Sequence, residues 1–329
     1  MAKVAINGLG RIGRAALKII LETPGLDIAA VNDLIPAENL AYLLQFDTVY
    51  GRYGTVKPGD NSLTVNGNEI PLLSVKDPAE LPWKDMNIDV VFECTGIFTK
   101  QDALQKHLDA GAKKVILSAP GDLDTVVFGT NHEKSKDLDM LSCASCTTNS
   151  ITPVMDIMRR RIGIKKAQMT TIHAYTSTQN IVDGPSKKMR RGRAGAANLV
   201  PTSTGAAVAT TKAIPELEGR FDGVAVRTPI PVGSISDITI VTERKTSADE
   251  INDIFREETK SDRYRDVLAV SEDPIVSSDI IQDPHASIVD LGMTQVVDGD
   301  LVKIMAWYDN EWGYANQMVR EAVYITSKS

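Results

Sequence analysis

The chain has 329 residues, 43% of them apolar and 24% charged, with a net charge of −7 at pH 7. That is enough apolar sequence for about two domains with a large core, and the acidic balance argues against nucleic acid as the main partner. Three cysteines make no disulfide framework and predict a reducing compartment, and no apolar run is long enough to span a bilayer.

The N-terminus enters a strand almost at once, at residues 3–7. This leaves no room for a signal or transit peptide, so a cytoplasmic protein is expected. Gly8-Leu9-Gly10-Arg11-Ile12-Gly13 follows, then a helical pattern carried by Ala15, Ala16, Leu17, Ile19, Ile20 and Leu21. Glycines in that order serve a tight turn, the close approach of a pyrophosphate, and helix–strand packing. A second strand, Leu26–Asn32, ends at Asp33, about 20 residues beyond Gly13. A carboxylate at that spacing accepts from ribose hydroxyls. Residues 34–46 hold no Lys or Arg, and Glu38 adds a further negative charge. A 2′-phosphate would find no local cation there, so the cofactor expected is NAD rather than NADP.

Residues 62–70 read as a hairpin turning at Asn66-Gly67. The runs 89–93, 114–118 and 125–129 are short, apolar and of the buried parallel kind. Thr95-Gly96 and Ser118-Ala119-Pro120 follow two of them, at carboxyl ends of strands, where open α/β sheets bind ligands.

An extended segment at 139–142 leads into Ser145-Cys146-Thr147-Thr148-Asn149, a strand-to-helix junction with Pro153 near the first turn. A lone cysteine is more often a small buried hydrophobe than a nucleophile. A thiol at a helix start, however, faces the positive end of the dipole, which favours the reactive thiolate. The hydroxyls of Ser145, Thr147 and Thr148 can hold an anion beside it. The next strand, 169–175, carries His173. A strand ending near that helix start brings the imidazole to the sulfur, which makes Cys146 and His173 a candidate nucleophile and base.

Five cations occupy seven positions from Lys187 to Arg193. No aromatic residues are interleaved, so a solvated loop is a better reading than a nucleic-acid site. Beyond it, residues 223–228, Ser234–Thr242 and Leu301–Tyr308 read as longer strands, with a helix at 247–259 between two of them. A last helix runs over 313–325. The expected fold is an α/β Rossmann-type dinucleotide-binding domain plus an α+β catalytic domain, whose largely antiparallel sheet has helices on one face.

Together these residues resemble the phosphorylating glyceraldehyde-3-phosphate dehydrogenases. The resemblance runs from Val4-Ala5-Ile6-Asn7-Gly8 to Asn310-Glu311-Trp312-Gly313-Tyr314. It rests on Ala144-Ser145-Cys146-Thr147-Thr148-Asn149, His173-Ala174-Tyr175-Thr176, Pro201-Thr202-Ser203-Thr204-Gly205-Ala206-Ala207 and the stretch from Trp307 to Tyr314. It implies that residues 1–147, completed by a C-terminal helix in 312–329, bind NAD, and that residues 148–311 form the catalytic domain. Cys146 would be the nucleophile and His173 its base. Thr176 and Arg227 would hold the phosphate of glyceraldehyde 3-phosphate, while Ser145, Thr147, Thr204, Gly205 and Arg193 would hold inorganic phosphate. Gly8, Gly10, Arg11, Ile12, Gly13, Asp33, Lys76, Thr95 and Ser118 would contact the cofactor, Asn310 the nicotinamide amide, and Tyr314 would lie against the ring. No metal is called for. The basic loop, with Gly184-Pro185 as in NAD-using members, would lie beside a neighbour's cofactor pocket in a homotetramer.

The implied reaction is oxidation of the aldehyde through a thioacyl enzyme, which inorganic phosphate cleaves to 1,3-bisphosphoglycerate. Two other readings compete: an erythrose-4-phosphate dehydrogenase on the same scaffold, and a non-enzymatic binding role. Thr176 after His-Ala-Tyr resembles the glyceraldehyde branch. Three departures from the family pattern stand out: Ser150 in place of a second cysteine, the stretch from Thr228 to Ser234, and Cys143, for which a buried structural role is expected.

Overall fold

The computed structural model describes residues 1–327, so the last two residues of the expected 312–329 segment lie outside the described residues. The chain forms two compact units. One comprises Met1–Val126, His132–Ala144 and the chain from Ala315; the other comprises Val127–Asn131 and Ser145–Tyr314.

The first unit is built on eight strands in the order Met140–Ser142, Lys114–Leu117, Val90–Glu93, Ala2–Asn7, Leu26–Asn32, Asn68–Leu73, Ser62–Val65, Val56–Pro58. The first six run parallel, and the last two pairings are antiparallel. The central strands read as unbroken apolar runs because neither face meets water: Val4, Ala5, Ile6, Val90, Val91 and Phe92 are fully buried. Chain order reverses at Ala2–Asn7, with Leu26–Asn32 on one side and Val90–Glu93 on the other. Such a switch point opens a crevice at the carboxyl ends of the strands. Helix Arg11–Glu22 leaves that edge and buries Ala15, Ala16, Leu17, Ile19 and Ile20. The expected hairpin is present. Asn66 and Gly67 take φ of 51° and 89°, the doubly left-handed pair that suits a two-residue turn between twisted strands.

Two expectations need correction. Residues 125–129 do not form a strand; Thr125 makes a single parallel bridge to Ser142. The chain turns instead, with Gly129 at φ 83° and the Asn131 side chain taking the Val127 N–H at 2.8 Å. An asparagine that captures a backbone donor competes with the ladder. Pro153 also lies deeper than the first turn. It sits two turns inside helix Cys146–Arg161, where it cannot donate to the Asn149 carbonyl.

The second unit holds seven strands in the order Val200–Ser203, Phe221–Thr228, Ile164–Ala174, Ser234–Thr242, Leu301–Tyr308, Ser287–Val297, Leu268–Ser271. Two pairings are parallel and the rest antiparallel. Burial alternates along Leu301–Tyr308: Val302, Ile304, Ala306 and Tyr308 are buried and the residues between them are not. Alternation of this kind marks a sheet with one wet face. On the dry face, Ile151, Val154, Met155 and Met158 of helix Cys146–Arg161 share one core with Ile251, Ile254 and Phe255 of helix Ala248–Glu258. That packing fixes the first helix, and with it the position of Cys146.

Candidate active site and dinucleotide cleft

Cys146 is the first residue of its helix because Ser145 caps it. The Ser145 hydroxyl accepts from the Thr148 N–H at 3.2 Å, and Ser145 is extended at φ −110°, ψ 163°. One residue earlier, Ala144 is left-handed at φ 56°, a conformation that costs free energy for a residue with a Cβ. The chain thus turns sharply into the helix and leaves Cys146 as a whole partly exposed.

His173 lies near the end of strand Ile164–Ala174, between Phe221–Thr228 and Ser234–Thr242. Its Nε2 is 3.3 Å from Cys146 Sγ, and the ring is buried. Nδ1 is 2.6 Å from the Ala174 carbonyl oxygen, which can only accept. Nδ1 therefore carries the proton, and Nε2 turns a lone pair toward the thiol. Arg227 Nη1 lies 3.1 Å from Nδ1, but it has proper acceptors in the Ala174 carbonyl at 3.1 Å and Thr176 Oγ1 at 3.4 Å.

The electrostatics differ from the sequence expectation. Burial pushes the Cys146 thiol up, while the Arg227 charge and the Thr147 hydroxyl and N–H pull it down. Burial pushes His173 down to about 3, and Arg227 adds to that shift. The imidazole is therefore neutral near pH 7. The site holds a base in place rather than a standing thiolate–imidazolium pair, because it desolvates both partners.

Tyr308 ties these elements together. Its hydroxyl lies 2.9 Å from Thr147 Oγ1 and 2.8 Å from Thr171 Oγ1, and its ring meets the His173 ring edge-on at 6.0 Å. Thr147 thus points to Tyr308. Ser145, Thr148 and Thr204 spend part of their capacity on helix starts, with Thr204 Oγ1 accepting from the Ala206 N–H at 3.2 Å. Gly205 precedes helix Ala206–Ala213, and a Cβ on it would meet nothing within 4 Å. Arg227 and Thr176 converge as expected, and the Arg227 Nε is buried without a partner. Thr178 joins them, 2.8 Å from Thr176.

The basic loop divides in a way that sequence reading did not foresee. Arg193 pairs with exposed Asp183 at 2.7 Å and is itself 63% exposed. Arg191 instead turns inward to Thr202, Thr178 and the Ser203 carbonyl. Its charge acts on both His173 and Arg227.

In the first unit a cleft of 820 Å³ is lined by Gly8, Gly10, Asp33, Lys76 and Thr95 among others. It fits a dinucleotide. Gly8 takes φ 94° and a Cβ there would stand 2.8 Å from Thr95 N, while one at Gly13 would stand 1.9 Å from the Gly8 carbonyl oxygen. Gly10 caps helix Arg11–Glu22 with no side chain and nothing within 4 Å, so the backbone is open to an anion. Asp33 is pinned by Leu9 N–H at 2.7 Å and Ile35 N–H at 3.0 Å, which aims its carboxylate. The Arg11 guanidinium pairs with buried Asp47, leaving the backbone of Arg11 and Ile12 at the helix start. Ser118 follows strand Lys114–Leu117 and donates its N–H to the Glu93 carbonyl at 3.0 Å.

In the second unit the Asn310 Oδ1 accepts from Gly233 N–H at 3.1 Å and Ser234 Oγ at 3.0 Å, which fixes the orientation of its amide. Tyr314 is buried. Cys143 is buried, with its thiol raised by burial. Among the described residues, no group of three His, Cys, Asp or Glu is arranged to hold a metal, and no helix is long and apolar enough to cross a membrane.

Residues 2–101 match the family described as glyceraldehyde 3-phosphate dehydrogenase, NAD binding domain, and residues 145–310 match its C-terminal domain. The chain is 46% identical to a glyceraldehyde-3-phosphate dehydrogenase of Clostridium acetobutylicum, over 99% of this chain and 98% of that protein. It is 45% identical to one from Zymomonas mobilis and 46% to one from Haloarcula vallismortis, with 98% of both partners covered in each case.

Proposed function

The chain belongs to the glyceraldehyde-3-phosphate dehydrogenase family, and on that premise we propose that it oxidises glyceraldehyde 3-phosphate with NAD and inorganic phosphate to 1,3-bisphosphoglycerate. The observation that carries the mechanism is the 3.3 Å contact between Cys146 Sγ and a His173 Nε2 whose lone pair faces it.

In this reading Cys146 Sγ adds to the aldehyde carbon and gives its proton to His173, which returns it to the alkoxide. His173 then takes the hemithioacetal O–H proton as the C–H bond breaks. Bound NAD supplies the hydride acceptor. Inorganic phosphate attacks the resulting thioester, and the departing sulfur recovers the proton from His173. Arg227 and Thr176 hold the phosphate of the substrate, with the unpartnered Arg227 Nε as a donor in waiting. Thr204, the Gly205 backbone, Ser145 and Arg191 hold inorganic phosphate. Arg191 takes the role that the family resemblance implies for Arg193, because Arg193 is engaged with Asp183. Asp33 and the glycine loop hold the adenosine half of NAD, and Asn310 and Tyr314 the nicotinamide.

Residues 1–147 with the C-terminal helix serve NAD binding, and residues 148–311 serve the substrate. A homotetramer is supported by apolar side chains left exposed in and around the basic loop: Ile181 before it at 88%, Met189 within it at 88% and Leu199 after it at 68%. A cytosolic setting is supported by the three cysteines, none of which forms a disulfide among the described residues. The test is NAD reduction with glyceraldehyde 3-phosphate or erythrose 4-phosphate, with and without inorganic phosphate. A rate that ignores phosphate, or that favours the four-carbon sugar, would overturn the reading.

A further inference from the structure

Beneath the dinucleotide cleft runs a chain of buried polar side chains whose direction is fixed at both ends. Trp83 Nε1–H donates to His107 Nδ1 at 3.0 Å. An indole nitrogen only donates, so Nδ1 holds the lone pair and the ring proton sits on Nε2. Nε2–H then donates to Glu93 Oε2 at 3.1 Å. The same oxygen accepts from Asn7 Nδ2 at 2.6 Å, while Oε1 accepts from Thr95 N–H at 2.8 Å and Thr95 Oγ1–H at 2.5 Å. Glu93 thus accepts four hydrogen bonds and donates none, which suits only the carboxylate. Glu93 and His107 are fully buried.

The other end is fixed by backbone. Asn7 Oδ1 accepts from Asn32 Nδ2 at 2.7 Å. Asn32 is clamped to Val75: its Oδ1 accepts from the Val75 N–H and its Nδ2 donates to the Val75 carbonyl, each at 2.9 Å. A backbone N–H and C=O cannot exchange roles, so neither asparagine amide can turn over.

Asn7, Asn32 and Thr95 also stand in the wall of the cleft. We propose that Glu93 is a positioning residue for dinucleotide binding, holding Asn7 and Thr95 in a single orientation through the hydrogen bonds that begin at Trp83. A buried carboxylate is costly unless it is fully hydrogen-bonded, and an apolar residue would fill the space without that cost. What the carboxylate adds is direction. It draws both Thr95 donors inward, while Thr95 Oγ1 accepts from the Ile97 N–H at 3.1 Å. Gly8 depends on the same placement, since even a Cβ would stand 2.8 Å from Thr95 N. The glycine loop is therefore packed directly against Thr95.

This inference rests on the dinucleotide reading of the cleft, so the test begins with NAD binding to the wild-type protein by titration calorimetry, with thermal unfolding measured alongside. A wild type that does not bind NAD refutes that reading. Glu93→Gln places an amide N–H₂ among four donors, and neither end of the chain can turn to accept it. Its NAD dissociation constant is expected to rise at least about tenfold well below its unfolding temperature, with kcat at saturating NAD within about threefold of wild type. His107→Gln keeps a donor toward Glu93 and an acceptor toward Trp83, and is expected to bind NAD within about threefold of wild type. His107→Leu keeps neither and is expected to lose tenfold or more. This pair carries the test if Glu93→Gln does not fold. Folded Glu93→Gln or His107→Leu that binds NAD like wild type overturns the proposal. So does a loss of binding that only tracks the fraction of unfolded protein.

Discussion

Replacing His173 by asparagine tests the base most directly. The amide keeps a polar group in the site but cannot take a proton near pH 7. A positioned general base contributes about 10²–10⁴ in rate, or roughly 2.7–5.4 kcal/mol of barrier. The structure argues for the upper half of that range. Neither neighbouring polar side chain can replace it as a base: the Arg227 guanidinium beside the ring only donates, and the hydroxyl of Tyr308 is engaged with Thr147 and Thr171 and pushed up by burial. The assay is rapid mixing with aldehyde and NAD and without phosphate, which isolates the first NADH formed on the enzyme. A burst within tenfold of wild type would refute the base assignment. A stability measurement checks the electrostatics independently. The folded pKa of His173 is lowered from 6.5 to about 3. Between those values the unfolded chain binds a proton that the folded chain does not, so stability falls as pH falls, by at most about 1.4 kcal/mol per unit. Above pH 6.5 this contribution is level. His173→Asn should lose less stability than wild type between pH 6 and 4, and equal acid sensitivity would refute the burial argument.

Cys146→Ser should abolish steady-state NADH formation, whereas Cys94→Ser and Cys143→Ala should keep most of it. The Cys94 thiol is pushed up to about 12 by burial and Cys143 is buried, so neither supplies a nucleophile. Arg191→Ala should raise the KM for inorganic phosphate about tenfold or more, and Arg193→Ala less than threefold; equal effects would undo the choice between them. Arg227→Ala should raise the KM for the phosphorylated aldehyde, and a change confined to the KM for NAD would count against its role. Wild type should prefer NAD over NADP in kcat/KM by at least about tenfold, roughly 1.4 kcal/mol. Asp33→Gly should narrow that gap while weakening both cofactors, since Leu9 N–H also loses its acceptor; a wild type that uses both equally would mean that a cation reaches the ribose from elsewhere.

The Rossmann half was legible because its signals are local. Gly8, Gly13 and Asp33 act within one βαβ unit, and Asn66-Gly67 dictates its own turn. Elements without such marks were not found. Helices Ala37–Gln45, Gln101–Asp109 and Ala206–Ala213 are short and have no side-chain cap bond. Strand Ser287–Val297 was also missed. Its register breaks between Asp290 and Gln295, which interrupts the alternation that a period-two reading needs. Residues 125–129 failed for the opposite reason: an apolar run looks like a strand until an asparagine side chain takes one of its backbone donors.

The site divides along the same line. The pairing of Cys146 with His173 could be read because a helix start and a strand end are local features. Whether the thiol is ionised could not, because that depends on burial and on Arg227, which is distant in sequence and adjacent in space. The arginines of the basic loop show the limit most clearly. Arg191 and Arg193 are alike in type and differ by two positions, and only tertiary contacts separate them. Arg193 has a carboxylate within reach at the surface, in Asp183. Among the described residues, Arg191 bonds to hydroxyls and a carbonyl, none of which cancels its charge. A cation that folding leaves surrounded by neutral acceptors, close enough to act on both His173 and Arg227, is the one that an anion will stabilise most.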